Sequence, residues 1–181
     1  MSTNTDSEQK LALRKVLASR HHKQFWQSFA TENIDNSEVV RILFEFMLEG
    51  KDRLSLTCAE IIRYMSDLNR RIVDPYIDKL IDTLNTECHD AVKRCIFKMF
   101  QYTSFNEKQT GRVVDTAFRH VENRSNAIAI RVFAMTTLYN ITKTYPELYD
   151  ELVACISANL SEESAGFKNR AGKIINRTWK G

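Results

Sequence analysis

Turn-forming residues are scarce in this chain, which has five glycines and two prolines in 181 residues. Sandwiches, barrels and glycine-rich phosphate loops need such residues to reverse the backbone or to bring it close to a ligand. Their scarcity argues against those architectures and predicts an all-helical protein. No apolar run approaches the roughly 18 uncharged residues of a membrane span, so we also expect no membrane association.

Secretory and disulfide signals are lacking as well. The first residues, MSTNTDSEQKLALRK, contain no apolar segment of signal-peptide length. The four cysteines, Cys58, Cys88, Cys95 and Cys155, form no CxxC pair and lie in or beside apolar helical patterns. We therefore expect a soluble cytoplasmic protein whose four thiols are free and serve as small core residues.

Catalytic and metal-binding motifs are not found. The four histidines form no HxxxH or HExxH arrangement, and no glycine-rich stretch follows a strand pattern. We therefore predict no enzymatic activity, no metal and no cofactor. The formal charge of +3 is too small to indicate a nucleic-acid binder by itself. From Ser164 to Gly181, however, there are five basic residues and no acidic one.

Helical periodicity is abundant and occurs in pairs of segments, such as SEVVRILFEFML followed by DRLSLTCAEIIRYMS. Apolar residues of the first segments recur every 37 residues in three columns: Val40, Ile77 and Val114; Leu43, Leu80 and Ala117; Phe44, Ile81 and Phe118. Such a repeat predicts stacked antiparallel helix pairs. We expect one domain over 1–181, with disorder in 1–6, capping helices in 7–33 and four helical hairpins in 37–178. Asp74 and Pro75 are expected to begin a helix as N-cap and first turn.

The paired segments resemble HEAT repeats, and the resemblance implies an αα-superhelix whose second helices line its concave side. NAIAIRVFAMTTLYNIT followed by SAGFKNRAGKII is similar to the last two repeats of a group of short bacterial HEAT-like proteins. Some members of that group are labelled adenylosuccinate lyase. Enzymes of the lyase superfamily are much longer and place a catalytic serine on a Gly/Ser-rich loop, which no segment of this chain matches.

Arg131 stands on a helical face that should be buried. Its neighbours three, four and seven residues away are all apolar: Ala127, Ile128, Ala134, Met135 and Leu138. Since an unpaired buried guanidinium is costly, Arg131 needs a partner. The favoured interpretation is a structural ladder in which Arg131 donates to a turn group of a neighbouring repeat, with Asp90 or Asn126 as candidates. The alternative is a ligand anchor on the concave wall.

Three functions follow in descending order of support. The first is a non-catalytic module that binds a protein or peptide on its concave face. The second is nucleic-acid binding, as in HEAT-like DNA-alkylation-repair proteins, although their central tryptophan and aspartate cluster is not found here. Adenylosuccinate lyase is the weakest. The candidate partner-binding residues are Arg94, Lys98, Arg131, Lys168, Arg170, Lys173 and Arg177. Trp179, beyond the last apolar stripe, either folds back as a cap or stays available to a partner.

Overall fold

The computed structural model describes residues 2–19, 22–49, 52–158 and 160–180, with side chains from Glu8 onward. Within these ranges the chain forms ten α-helices, two short 3-10 segments and no strand. The helices are α1 (Ser2–Leu17), α2 (Lys23–Asn33), α3 (Ser37–Glu49), α4 (Arg53–Leu68), α5 (Ile77–Leu84), α6 (Asp90–Phe100), α7 (Glu107–Glu122), α8 (Ile128–Ile141), α9 (Leu148–Ser157) and α10 (Ala165–Ile175). The predicted all-helical fold class is confirmed for these residues.

The chain divides into two compact units, Met1–Cys95 and Ile96–Gly181, and the boundary between them falls inside α6. Whether they act as the single domain expected from the sequence stays a prediction. Helix α1 begins at Ser2, inside the segment for which disorder was expected, while Met1 lies outside the described residues. The assignment of α1 and α2 as capping helices also stays a prediction.

The first unit packs around the apolar stripes of α3 and α4, which contact each other along their length. The repeat-column residues Leu43 and Phe44 are fully buried on α3, as are their equivalents Leu80 and Ile81 on α5. Equivalent helices of successive pairs also meet, α2 against α4 and α3 against α5. The spacing of 37 residues therefore does mark stacked helix pairs, because each pair buries its stripe against the next.

The second unit repeats this arrangement. Helix α7 packs on α8, α7 on α9, and α8 on α10. The Thr137 hydroxyl of α8 also donates to the Phe97 carbonyl of α6 at 3.2 Å. Helix α7 begins with a capping box. The Asn106 side chain accepts from the Gln109 backbone amide, and the Gln109 side chain accepts from the Asn106 backbone amide. These contacts place α8 and α10 side by side as neighbouring second helices of the unit, with Phe97 of α6 beside α8.

The start of α5 differs from the sequence expectation. Pro75 lies inside a 3-10 segment, Arg70–Tyr76, whose N-cap is Asn69, and α5 begins only at Ile77. Asp74 is therefore not the cap. Asn69 takes that role because its side chain accepts from the Arg71 backbone amide two residues on, a common turn geometry for asparagine.

All four cysteines are free thiols, as predicted. Cys58 and Cys95 are buried core residues, and burial raises the pKa of both thiols. Cys88 and Cys155 are only partly buried, so the core interpretation holds for two of the four. No helix in the described ranges is long and apolar enough to cross a bilayer.

Candidate functional site

The seven candidate basic residues divide into two groups according to what each contacts. Arg94, Arg131 and Lys168 bind carboxylates or backbone carbonyls of the protein. The other four contact aromatic rings: Lys98, Arg170, Lys173 and Arg177. Arg94 belongs to the first unit and the other six to the second. We treat these two groups in turn.

Arg94 is engaged in an ion-pair cluster of the first unit. Its guanidinium contacts a carboxylate oxygen of Glu60 on α4, and Arg63 donates to the other oxygen at 3.0 Å. The Glu60 side chain is only 7% exposed, so the two arginines compensate a buried carboxylate. Arg94 therefore has a structural role that its position in the repeat did not reveal.

The guanidinium of Arg131 binds groups of the protein itself. Its Nε donates to the Val121 carbonyl at 2.8 Å, and its two terminal nitrogens donate to the Glu163 carboxylate at 2.8 and 2.7 Å. Both side chains of the ion pair are 7% exposed, and the guanidinium also lies 4.5 Å from the centroid of the Phe167 ring. This bidentate geometry matches the planar fork of arginine to a carboxylate. It is the ladder contact that the sequence suggested.

The predicted partners Asp90 and Asn126 were wrong. Asn126 instead donates to the carbonyl of His120, which closes the connection between α7 and α8. Glu163 lies just before α10, the helix that packs against α8. While Nε of Arg131 donates to Val121, its two terminal nitrogens therefore bind a residue of the following repeat. The hydrogen bonds from Arg131 hold the pKa of Glu163 below its usual range.

Lys168 is exposed, and its ammonium donates at 2.8 Å to the carbonyl of Ser161, in the short 3-10 segment that precedes α10. The ring-contacting cations are different. In the described part of the chain, none of Lys98, Arg170, Lys173 and Arg177 forms an ion pair with a carboxylate. Their positive charge is therefore not compensated by the protein itself.

Helix α8 brings two of these cations together. Lys98 reaches from α6 to within 5.6 Å of the Phe133 ring centroid, and Arg170 reaches from α10 to the Thr136 hydroxyl. Phe133 and Thr136 are three residues apart and so adjoin on one helical face. We call the resulting surface the basic-aromatic face, composed of Lys98, Tyr102, Phe133, Arg170, Lys173 and Trp179.

The C-terminal residues fold back onto α10 and hold Arg170. The guanidinium carbon of Arg170 lies 3.5 Å from the Trp179 ring centroid, and the Lys173 ammonium lies 6.0 Å from the same centroid. Burial lowers the pKa of Arg170, an effect that the nearby Tyr102 opposes, but a guanidinium stays protonated at neutral pH. Of the two sequence alternatives for Trp179, the folded-back arrangement is the observed one.

Arg177 occupies a backbone position that favours glycine. Its φ is 53°, and it closes a Schellman motif in which the amides of Arg177 and Thr178 donate to the carbonyls of Ile174 and Lys173. The guanidinium carbon of Arg177 lies 4.1 Å from the centroid of the Tyr149 ring. Both residues line an open cavity of about 170 Å³, together with Lys143. Sequence reasoning missed Lys143 and Tyr149, because no repeat spacing links them to Arg177.

We expect the Arg177→Gly variant to be more stable than Arg177→Ala by about 1 kcal/mol. Both variants lose the contact with Tyr149, but only glycine adopts the left-handed conformation without steric cost. Paired denaturant titrations measure the difference. Equal stabilities would show that the left-handed backbone costs nothing here.

The basic-aromatic face offers cations, rings and hydroxyl groups, and it contains no carboxylate or imidazole for acid-base chemistry. No group of three or more histidine, cysteine or acidic side chains in the described residues is arranged to hold a metal. The face is therefore suited to binding negatively charged groups.

A family model of the HEAT repeat domain matches residues 13–177. Comparison with curated proteins and with solved structures gave no match. The match covers most of both units and includes Lys98, Arg170, Lys173 and Arg177.

Proposed function

Because the chain belongs to the HEAT repeat family, we propose that it is a non-catalytic interaction module that binds an acidic peptide segment of a protein partner on the basic-aromatic face. HEAT repeats generally mediate protein interactions, and this face is built on second helices, which present extended surface in such repeats. A cytoplasmic location is part of the proposal, because free thiols suit a reducing compartment.

The uncompensated charge of Arg170 is the observation that supports the proposal most directly. Its guanidinium is partly buried, it is held in place by Trp179 and Thr136, and it has no carboxylate partner in the described residues. A partly buried cation is stabilised when a carboxylate joins it. Since its position is fixed before binding, little side-chain entropy would be lost on contact with a partner.

A nucleic-acid ligand is the alternative, since phosphates also complement these cations. Proteins that bind single strands use aromatic rings as stacking platforms for bases. Here the ring faces of Trp179 and Phe133 are already approached by Arg170 and Lys98. The second unit also contains 8 acidic residues beside its 12 lysines and arginines, which weakens its attraction for a polyanion. Both observations favour an acidic peptide.

The test is a fluorescence-anisotropy titration of the full chain into a labelled glutamate-rich peptide at low and high salt. We expect saturable binding that weakens as salt rises, because exposed ion pairs are screened. The glutamine counterpart of the peptide is the matched control and should not bind. A mixed-sequence DNA duplex and a single strand are titrated in parallel.

Tighter binding of either DNA than of the peptide would replace the proposal with nucleic-acid binding. Contacts with DNA phosphates would then make the logarithm of the binding constant fall steeply and linearly with the logarithm of the salt concentration. Equal binding of the glutamate and glutamine peptides, or binding of none of the probes, would show that the basic-aromatic face is not an acidic-peptide site.

A further inference from the structure

A second concavity of the second unit is chemically unlike the basic-aromatic face. It is an open cavity of about 210 Å³ at the C-terminal ends of α6 and α8 and the start of α7. Aromatic rings of Phe105 and Tyr145 and the side-chain amides of Gln101 and Asn140 contribute to its walls. None of the described residues that line it carries a charged side chain. A charged ligand would therefore lose its hydration there without gaining a counter-charge.

Two unsatisfied polar atoms belong to the amides of this cavity. Among the described residues, four buried side-chain polar atoms have no hydrogen-bond partner, and two of them are Gln101 Nε2 and Asn140 Oδ1. Gln101 is only 6% exposed. Buried donors and acceptors are nearly always paired in proteins, so two orphans at one cavity need an explanation.

Three of the hydroxyl groups around the cavity are occupied by bonds to the backbone. The hydroxyls of Thr103, Thr110 and Thr137 donate to backbone carbonyls of Met99, Asn106 and Phe97. The amide nitrogen of Asn140 donates to the Gln101 carbonyl at 2.9 Å, which fixes the orientation of the Asn140 side chain. Of the polar side-chain atoms that line the described cavity, Gln101 Nε2 and Asn140 Oδ1 are the ones that are both buried and without a partner.

We propose that this cavity is a binding site for a neutral, planar ligand that carries a primary carboxamide or a cyclic amide. Such a group presents a carbonyl for Gln101 Nε2 and an N–H for Asn140 Oδ1, while its flat body lies against Phe105 or Tyr145. The site is independent of the acidic-peptide proposal.

The test uses nicotinamide as the probe and nicotinate as its charged counterpart. Each is titrated into the isotope-labelled full chain to about 20 mM, the range in which fragment-sized ligands bind. We expect nicotinamide to shift the side-chain amide resonances of Gln101 and Asn140 saturably. Nicotinate should leave them unchanged, because it lacks the N–H donor and brings a charge into an uncharged cavity.

Gln101→Met is the decisive variant, since methionine keeps the length of the side chain and removes the orphan donor. We expect an unchanged or raised unfolding midpoint together with at least tenfold weaker nicotinamide binding. Gln24→Met, the same change at an exposed site on α2, is the matched control and should bind as the parent chain does.

Four results would overturn the proposal. They are no saturable shift with nicotinamide, equal shifts with nicotinate, undiminished binding by Gln101→Met, and a marked loss of stability in that variant. The last would show that Nε2 is already satisfied by ordered water in the native protein.

Discussion

Arg131→Met is expected to lower the free energy of unfolding by about 3 kcal/mol. Methionine keeps much of the apolar volume of the arginine stem but removes every donor that Arg131 supplies and the contact of its guanidinium with the Phe167 ring. The Glu163 carboxylate, 7% exposed, then loses both of its hydrogen bonds from the guanidinium, and the Val121 carbonyl loses the bond from Nε. A buried carboxylate that keeps only the 3.9 Å approach of Arg124 costs more than the net gain of the intact pair.

Denaturant titration measures this effect, and two further variants identify its origin. The double variant Arg131→Met with Glu163→Met should recover most of the loss, because an apolar pair can replace a buried ion pair at little cost. Arg53→Met applies the same substitution to an exposed arginine at the start of α4, far from Glu163 in the sequence, and should leave the unfolding midpoint nearly unchanged. An Arg131→Met midpoint equal to or above that of the parent, at an unchanged slope, would support the ligand-anchor interpretation instead.

The same pair gives the protein a defined response to acid. Because Arg131 lowers the pKa of Glu163 in the folded state, the pair contributes stability above the ordinary carboxyl pKa of about 4.5. That contribution is lost as the pH falls through the lower pKa of the folded state. Arg131→Met removes the cause of the shift, so its stability should depend less on pH across this acidic range.

The repeat could be predicted from the sequence because it is a burial pattern. Leu43 and Leu80, spaced by 37 residues, are both fully buried, since equivalent helices of successive pairs pack on one another. A spacing identifies equivalent positions, however, and does not identify contacts. Arg94 and Arg131 are equivalent, yet one binds a carboxylate of α4 and the other a carboxylate in the turn before α10.

The candidate site was predicted only in part for a related reason. Lys98, Arg170, Lys173 and Arg177 were found as basic residues, but the rings that hold them come from distant positions such as Phe133 and Tyr149. These neighbours depend on how α8, α9 and α10 pack, which a single sequence does not encode as a local pattern. The cavity beside Gln101 and Asn140 was invisible to sequence reasoning because neither residue has an unusual spacing.

Arg170→Glu should weaken binding of the glutamate-rich peptide by about 100-fold, or nearly 3 kcal/mol. The change removes the partly buried Arg170 cation from the basic-aromatic face and puts a like charge where the peptide carboxylate is expected. Anisotropy titration measures the loss. Lys108→Glu makes the same change in net charge on the exposed side of α7 and is the matched control, with less than about a twofold effect expected from long-range electrostatics alone.

Arg170 also contacts Thr136 and Trp179, so the loss of binding in Arg170→Glu has to be separated from damage to the fold. Lys173→Glu makes that separation. Lys173 is exposed and lies farther from the Trp179 ring, so the variant should keep the parent unfolding midpoint while binding the peptide about tenfold more weakly. Affinities of both variants equal to that of Lys108→Glu would contradict the proposal, since a site built on Arg170 cannot be indifferent to charge reversal at its centre and at its edge.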